Sequence, residues 1–204
     1  QGHGRRGADR QRARPRLDFY SDISLQRNDG SDVRIVWELN RLGHVLILAR
    51  AYALTNDERY SFEFFRQIDG WASRNPLGYG VNWNCAMEVA LRAMNLLGAF
   101  AVFRHAPGFN AEQLTQLLKI LDQHGRFIRD HLEFSYIATS NHYLTDVSGL
   151  LWLGVMLPEL ADAAEWRALG LRELLREMKK QVLPDGADGE SSTGYHRLVL
   201  ELFA

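Results

Sequence analysis

From Asp32 to Phe203 the apolar side chains recur every three to four residues, and no stretch shows the two-residue alternation of a half-buried strand. Such a chain can bury its apolar stripes only by packing helix against helix. Trp37, His44/Val45, Leu48 and Tyr52 define the first face, on a helix expected to end before Thr55. Thr55, with Glu58 three residues on, reads as a capping box opening a second helix. Its buried stripe is Phe64, Phe65, Ile68 and Trp71, and Asn75-Pro76 stops it. A third helix is expected from near Trp83 through Met87, Ala90/Leu91, Met94 and Leu97 to about Phe103. Asn110 and Gln113 form another capping box, for a fourth helix carrying Leu114, Leu117/Leu118 and Leu121 past Gly125 to His131/Leu132. The fifth starts at Ser140 or Asn141 and presents Leu144, Val147, Leu151 and Val155 before Pro158. The sixth runs from Asp162 to Val182 with Trp166, Leu174 and Met178 inward, and a seventh opens near Ser191 or Ser192.

Helices joined by short loops pack as hairpins. The hairpins lie roughly 45–55 residues apart without sequence self-similarity at a fixed period, which disfavours a repeat solenoid. The fold class expected is therefore all-α, an α/α toroid of helical hairpins over residues 31–204. Residues 1–30 read as a basic, flexible arm: Arg5, Arg6, Arg10, Arg12, Arg14 and Arg16 stand against Asp9 alone in the first part, with almost nothing apolar to bury.

Lys+Arg 24 against Asp+Glu 25 gives a net charge of −1, which conceals that basic arm on a mildly acidic body and excludes a nucleic-acid partner held by bulk electrostatics. No apolar run reaches the ~20 residues of a membrane span. The first residues have no apolar segment of a signal peptide. Cys85 is the sole cysteine, so an intramolecular disulfide is impossible and the compartment stays open.

Motif searches exclude more than they identify. The 7 His and 1 Cys show no H-E-x-x-H and no paired cysteines, so neither a metal nor a cofactor is expected. Asp185, Asp188 and Glu190 lack the spacing of a calcium loop and read as a Gly-rich turn. Polar residues at helix starts remain. Asn84, Glu88, Arg92 and Asn95 share one face of the third helix, with Glu88 and Arg92 at the i,i+4 spacing of an ion pair; the face is either solvated or lines a cleft. Trp83 and Asn84 follow the Gly78-Tyr79-Gly80 loop, as a saccharide-facing rim would. In Ser140-Asn141-His142-Tyr143, Ser140 or Asn141 serves as an N-cap and His142 lies at the surface. In the run Glu190 to Arg197 a serine again caps, and Tyr195 fits a core position.

Taken together these segments resemble one family. Trp37-Glu38-Leu39-Asn40-Arg41, then Asn82-Trp83 with Met87-Glu88-Val89-Ala90 and Arg92, then Asn141-His142, then Gln181-Val182-Leu183-Pro184-Asp185-Gly186 and Tyr195-His196-Arg197 are similar to the heparinase II/III polysaccharide lyases, which include alginate-lyase relatives. The resemblance covers about residues 32–204. It implies an N-terminal incomplete toroid followed by an antiparallel β-sandwich domain absent from this sequence, and a periplasmic or secreted location.

It also implies chemistry: β-elimination at a uronic acid residue of an acidic polysaccharide, the partner expected here. Removing the C5 proton requires that the adjacent carboxylate be neutralised by preorganised donors. By the resemblance, Asn141 and His142 supply that neutralisation, with His142 as a possible base, and Tyr195 is the acid that protonates the leaving O4. A tyrosine acting as base would need cationic neighbours, for which Arg197, His196 and Arg92 are the candidates. Trp83, Asn84, Glu88, Arg92, Glu190, His196 and Arg197 would bind substrate. Two other readings stay open. An α/α-toroid glycoside hydrolase would need two opposed carboxylates, with Glu88 and Glu190 as the pair. A carbohydrate-binding module would bind without turnover.

Overall fold

The computed structural model describes residues 17–203, except 27, 137–139 and 190–191. The arginine-rich residues 1–16 and the candidate Glu190 therefore lie outside the described residues. Eight helices follow in order: α1 (Val33–Asn40), α2 (His44–Thr55), α3 (Glu58–Arg74), α4 (Ala86–Phe103), α5 (Ala111–Asp130), α6 (Asn141–Met156), α7 (Ala163–Gln181) and α8 (Thr193–Phe203). Short 3-10 turns stand at Tyr20–Asp22 and Val81–Trp83. The helices α2, α4, α6 and α8 pack in succession as one row; α3, α5 and α7 each pair with the row helix before them. This two-row array of hairpins is the expected all-α incomplete toroid.

The first expected helix is in fact two. Leu42 takes a left-handed φ of 58° between α1 and α2, a conformation strained for a leucine, and its side chain is buried in the core. The second expected cap also moves. Asp57, not Thr55, accepts the Arg59 backbone N–H, while Thr55 ends α2 with its hydroxyl on the Ala51 carbonyl. The Asn110–Gln113 capping box is present with both reciprocal bonds. Ser140 caps α6.

Part of the expected arm is bound to the body. Gly80 donates its backbone N–H to the Asp18 carbonyl at 2.9 Å, Tyr20 N–H reaches the Gly78 carbonyl at 2.9 Å, and the Tyr20 hydroxyl meets His131 Nε2 at 2.7 Å. Asp18 and Tyr20 are thus held against the Gly78–Gly80 loop and the end of α5.

A single buried cation ties several elements together. Arg92 is 0 % exposed, yet among the described residues no carboxylate is within salt-bridge distance of its guanidinium. It donates instead to His124 Nε2 (2.8 Å, from α5), the Asn40 carbonyl (3.2 Å, end of α1) and the Asn82 carbonyl (3.0 Å). Its Cζ also lies 4.5 Å from the Trp71 ring centroid and 5.4 Å from that of Trp83. The Asn40 side chain accepts from Trp71 Nε1 and Asn82 Nδ2, closing the network between α1, α3 and the turn before α4. Burial lowers the Arg92 pKa to about 9, which leaves it charged at neutral pH. Burial and the adjacent Arg92 hold the His124 pKa well below its usual value, so His124 is neutral and accepts.

The hairpin of α6 and α7 depends on glycines. A Cβ on Gly170 would lie 2.7 Å from the Leu151 nitrogen and the Val147 carbonyl, and one on Gly154 would lie 2.5 Å from the Ala163 carbonyl. Backbone cannot yield as a flexible side chain can.

Two outcomes are expected. Gly170→Ala should destabilise the fold by ~1–3 kcal/mol, read as a lower urea midpoint at unchanged slope. The unfolded chain protonates His124 near pH ~6.5 and the folded chain does so only at much lower pH. Stability should therefore fall as pH drops below ~6.5, by up to about 1.4 kcal/mol per unit from this residue. His124→Gln, compared with the parent by urea unfolding at about pH 7.5 and about pH 5, should show the smaller acid loss.

Candidate functional site

The polar stripe on α4 is neither solvated nor a cleft lining along its length. Asn84, just before the helix, donates to the Tyr20 carbonyl at 2.7 Å, and Asn95 donates to the Arg41 carbonyl at 2.8 Å. Glu88 is buried and does not pair with Arg92. It accepts a two-pronged bond from Arg41, Nε to Oε2 at 2.7 Å and Nη2 to Oε1 at 2.8 Å. The i,i+4 spacing suggested the wrong partner because Arg92 turns inward to carbonyls while Arg41 arrives from the α1–α2 junction. Trp83 is 1 % exposed, packed against His124 and Phe127, and cannot stack on a sugar. Arg92 is likewise core, so neither residue can serve as the expected substrate contact, and Arg92 is not a cationic neighbour of an exposed tyrosine.

The N-terminus of α4 meets the N-terminus of α6. Glu133 holds both: its Oε1 accepts the Ala86 backbone N–H at 2.8 Å, and its Oε2 is hydrogen-bonded to His142 Nδ1. The Glu133 backbone N–H in turn donates to the buried Asp146 at 2.8 Å. Although burial opposes it, the partnership with His142 keeps the Glu133 pKa below the usual value, so the carboxylate is ionised and faces the imidazole. Cys85, the N-cap of α4, places its sulfur 4.0 Å from the same His142 nitrogen. The His142 side chain is 47 % exposed, whereas Asn141, the first residue of α6, is buried. Glu133 and Cys85 were invisible as site residues in the sequence. A lone cysteine and a loop glutamate carry no motif: Cys85 lies 57 residues from His142, and Glu133, 9 residues away, sits in a loop where no helical period aligns the two.

Tyr195 lies on the wall of an open cleft. At 48 % exposed it is not core; with Arg197, Leu198 and Glu201 of α8 it faces Glu38, Arg41, Met87, Leu91 and Asn95 across a cavity of 560 Å³. Arg197 is engaged by Glu201 at 2.9 Å and Arg41 by Glu88 and Glu38, so the cleft's charges are paired. His196 points elsewhere, its Nδ1 taking the Asp188 backbone N–H at 3.2 Å. Of the ten expected site residues, the structure therefore puts Tyr195 and Arg197 on the cleft, and Glu88 one bond behind it through Arg41. Asn141 and His142 start α6, the helix on which α8 packs.

The helix α4 is long and apolar enough by composition to cross a membrane, but most of it is buried among the other helices.

The chain matches the model of the heparinase II/III N-terminus over residues 9–204. It is 32% identical over 192 residues to the heparin-sulfate lyase of Pedobacter heparinus, which covers 92% of this chain and 28% of that protein. The heparin-sulfate lyase of Bacteroides stercoris is 27% identical over 209 residues, covering 93% of this chain and 31% of the relative. The crystal structure of heparan sulfate lyase HepC from Pedobacter heparinus superposes with a TM-score of 0.70 at 31% identity, over 92% of this chain and 29% of that one. The chain thus spans less than a third of the length of these relatives. With the two-row helical array and the matched family model in agreement, this chain belongs to the heparinase II/III family and corresponds to its N-terminal part.

Proposed function

We propose that the chain is the toroid portion of a polysaccharide lyase that cleaves an acidic, uronate-containing polysaccharide by β-elimination. The observation that carries this reading is the half-exposed Tyr195 on a cleft wall opposite Arg41. A phenol there meets solvent and is open to a polymer chain. Elimination breaks the C5–H and C4–O bonds of the sugar. The electrons of the C5–H bond form the C4–C5 double bond, O4 leaves with the proton of the Tyr195 hydroxyl, and the C5 proton passes to the Tyr195 oxygen, which restores the phenol. The charge that develops on the uronate carboxylate falls to Asn141 and His142. An ionised Glu133 on His142 Nδ1 favours the imidazolium and fixes its ring, so that a cation faces the substrate. Names of the relatives, heparin-sulfate and heparan sulfate lyases, support an acidic polysaccharide as substrate. The β-sandwich domain implied by the family and a periplasmic or secreted location belong to this proposal as well.

The binding residues change with the structure. Arg41, oriented by Glu88, takes the place that Arg92 was expected to hold, and Arg197 remains. The glycoside hydrolase reading weakens, because Glu88 is buried and committed to Arg41 rather than opposed to a second carboxylate.

Ultraviolet absorbance of the 4,5-unsaturated product is the deciding assay on the protein containing this chain. Tyr195→Phe should abolish product formation while leaving polysaccharide binding largely intact, and near-normal turnover would refute the role of Tyr195. Asn141→Ala should lower the rate by ~10²–10³ with the fold retained. A loss of stability alone would make Asn141 a packing residue in the first turn of α6 and nothing more. New reducing ends without the chromophore would indicate hydrolysis, and binding with neither product would indicate a binding module.

A further inference from the structure

We infer that Cys85, Glu133 and His142 form a binding site for a thiophilic divalent cation of the Zn²⁺ class, and that its occupancy inhibits the lyase by capturing His142. Among the described residues, the Cys85 sulfur, a Glu133 carboxylate oxygen and a His142 ring nitrogen all lie within 4.8 Å of one another. They come from three separate places in the chain: the cap of α4, the loop after α5 and the first turn of α6. A tetrahedral zinc ion sits about 2.0–2.3 Å from each donor, so ligand atoms ~3.2–3.8 Å apart are what it requires. The 4.0 Å between Cys85 Sγ and His142 Nδ1 is within a small side-chain adjustment of that.

The donor chemistry selects the ion. One thiolate and one carboxylate balance a dication, and a neutral imidazole completes a mixed S, N, O set; calcium and magnesium, which want oxygen alone, do not fit. Each ligand is already oriented. Glu133 Oε1 is occupied by the Ala86 N–H, which leaves Oε2 directed at His142. Cys85 caps α4 beside Glu133; burial and that carboxylate push its thiol up, so the thiolate forms only as the cation displaces the proton. The site is also reachable, since the Glu133 and His142 side chains are 28% and 47% exposed and leave a side for water as the fourth ligand. Binding releases the Cys85 thiol proton to solvent, sends the His142 Nδ1 proton to Nε2 of a neutral ring or to solvent from an imidazolium, and replaces the Glu133–His142 hydrogen bond with two metal bonds.

The inhibitory half rests on the proposed role of His142. A cation on Nδ1 holds the His142 ring against Cys85 and Glu133, so the ring is captured by the metal site and is not free to turn to the uronate carboxylate.

Titration of the protein with Co²⁺, followed in the near ultraviolet, reads the site without any turnover. A sulfur-to-cobalt charge-transfer band should appear with one equivalent, vanish in Cys85→Ser, and be competed away by Zn²⁺. Because outer-shell losses alone cost ~10–100-fold in metal affinity, Glu133→Gln should weaken Co²⁺ binding by at least that factor. Glutamine at 133 still offers an acceptor to the Ala86 N–H, and circular dichroism of both variants verifies their fold. The ratio of elimination rates with chelator and with Zn²⁺ should be well above one for the parent and near one for Cys85→Ser. Absence of the band, or its persistence in Cys85→Ser, overturns the site. A normal band with rates indifferent to Zn²⁺ overturns the inhibition. A normal band in a protein that makes no unsaturated product under any condition upholds the site and refutes the lyase reading.

Discussion

The buried guanidinium of Arg92 is the constraint around which the rest is arranged. A charge taken wholly out of water costs several kcal/mol unless hydrogen bonds and polarisable faces replace its hydration. Here two backbone carbonyls, a neutral histidine and two indole rings do so, and they come from α1, α3, α5 and the turn before α4. Each of those groups must be in place for the charge to be tolerated. The end of α1 is therefore anchored to α4 by the Asn40 carbonyl, and Arg41, the next residue, is carried to Glu88 and to the cleft. A residue with no access to substrate thus fixes the position of one that lines the cleft.

A second junction sets the other side of the site. Helix α4 begins against α6, and Glu133 joins them by accepting the first N–H of one and bonding the histidine of the other. The two helices also approach closely, with a Cβ on Gly149 falling 2.8 Å from that of Ala90. His142 is consequently positioned by a carboxylate whose own backbone is tied to buried Asp146, and the N-terminal turn of α6 has little freedom to move relative to α4. That rigidity suits a group aimed at a developing charge. It equally suits a donor set for a cation, since a ligand that need not be ordered on binding adds its full strength.

The helices were legible in the sequence because each stripe of Phe, Leu and Trp has one period and one buried face. Where the reading failed, a local signal competed with a tertiary one. Thr55 and Glu58 have capping-box spacing, yet Asp57 is the better acceptor at the real boundary. The first helix seemed continuous because His44/Val45 keeps phase with Trp37, and nothing nearby announced that Leu42 would adopt a left-handed turn. Glu88 and Arg92 show the same failure at the level of charge. Sequence spacing identifies which pairs could meet on a helix surface, and says nothing about whether that surface is buried against another segment.

The amino-acid sequence by itself determined the all-α class, the hairpin order and the motifs Asn141-His142 and Tyr195-His196-Arg197 that tie the chain to its family, since these depend on periodicity and local residue identity. Tertiary structure alone decided that Trp83 and Arg92 are core, that Arg41 reaches the cleft, and that Cys85 and Glu133 converge on His142. Those outcomes depend on which face of α4 is covered and on contacts such as Arg41–Glu88 and Cys85–His142, 47 and 57 positions apart in the chain. No local pattern encodes such contacts, because they arise only when packing brings separate helices to a common point.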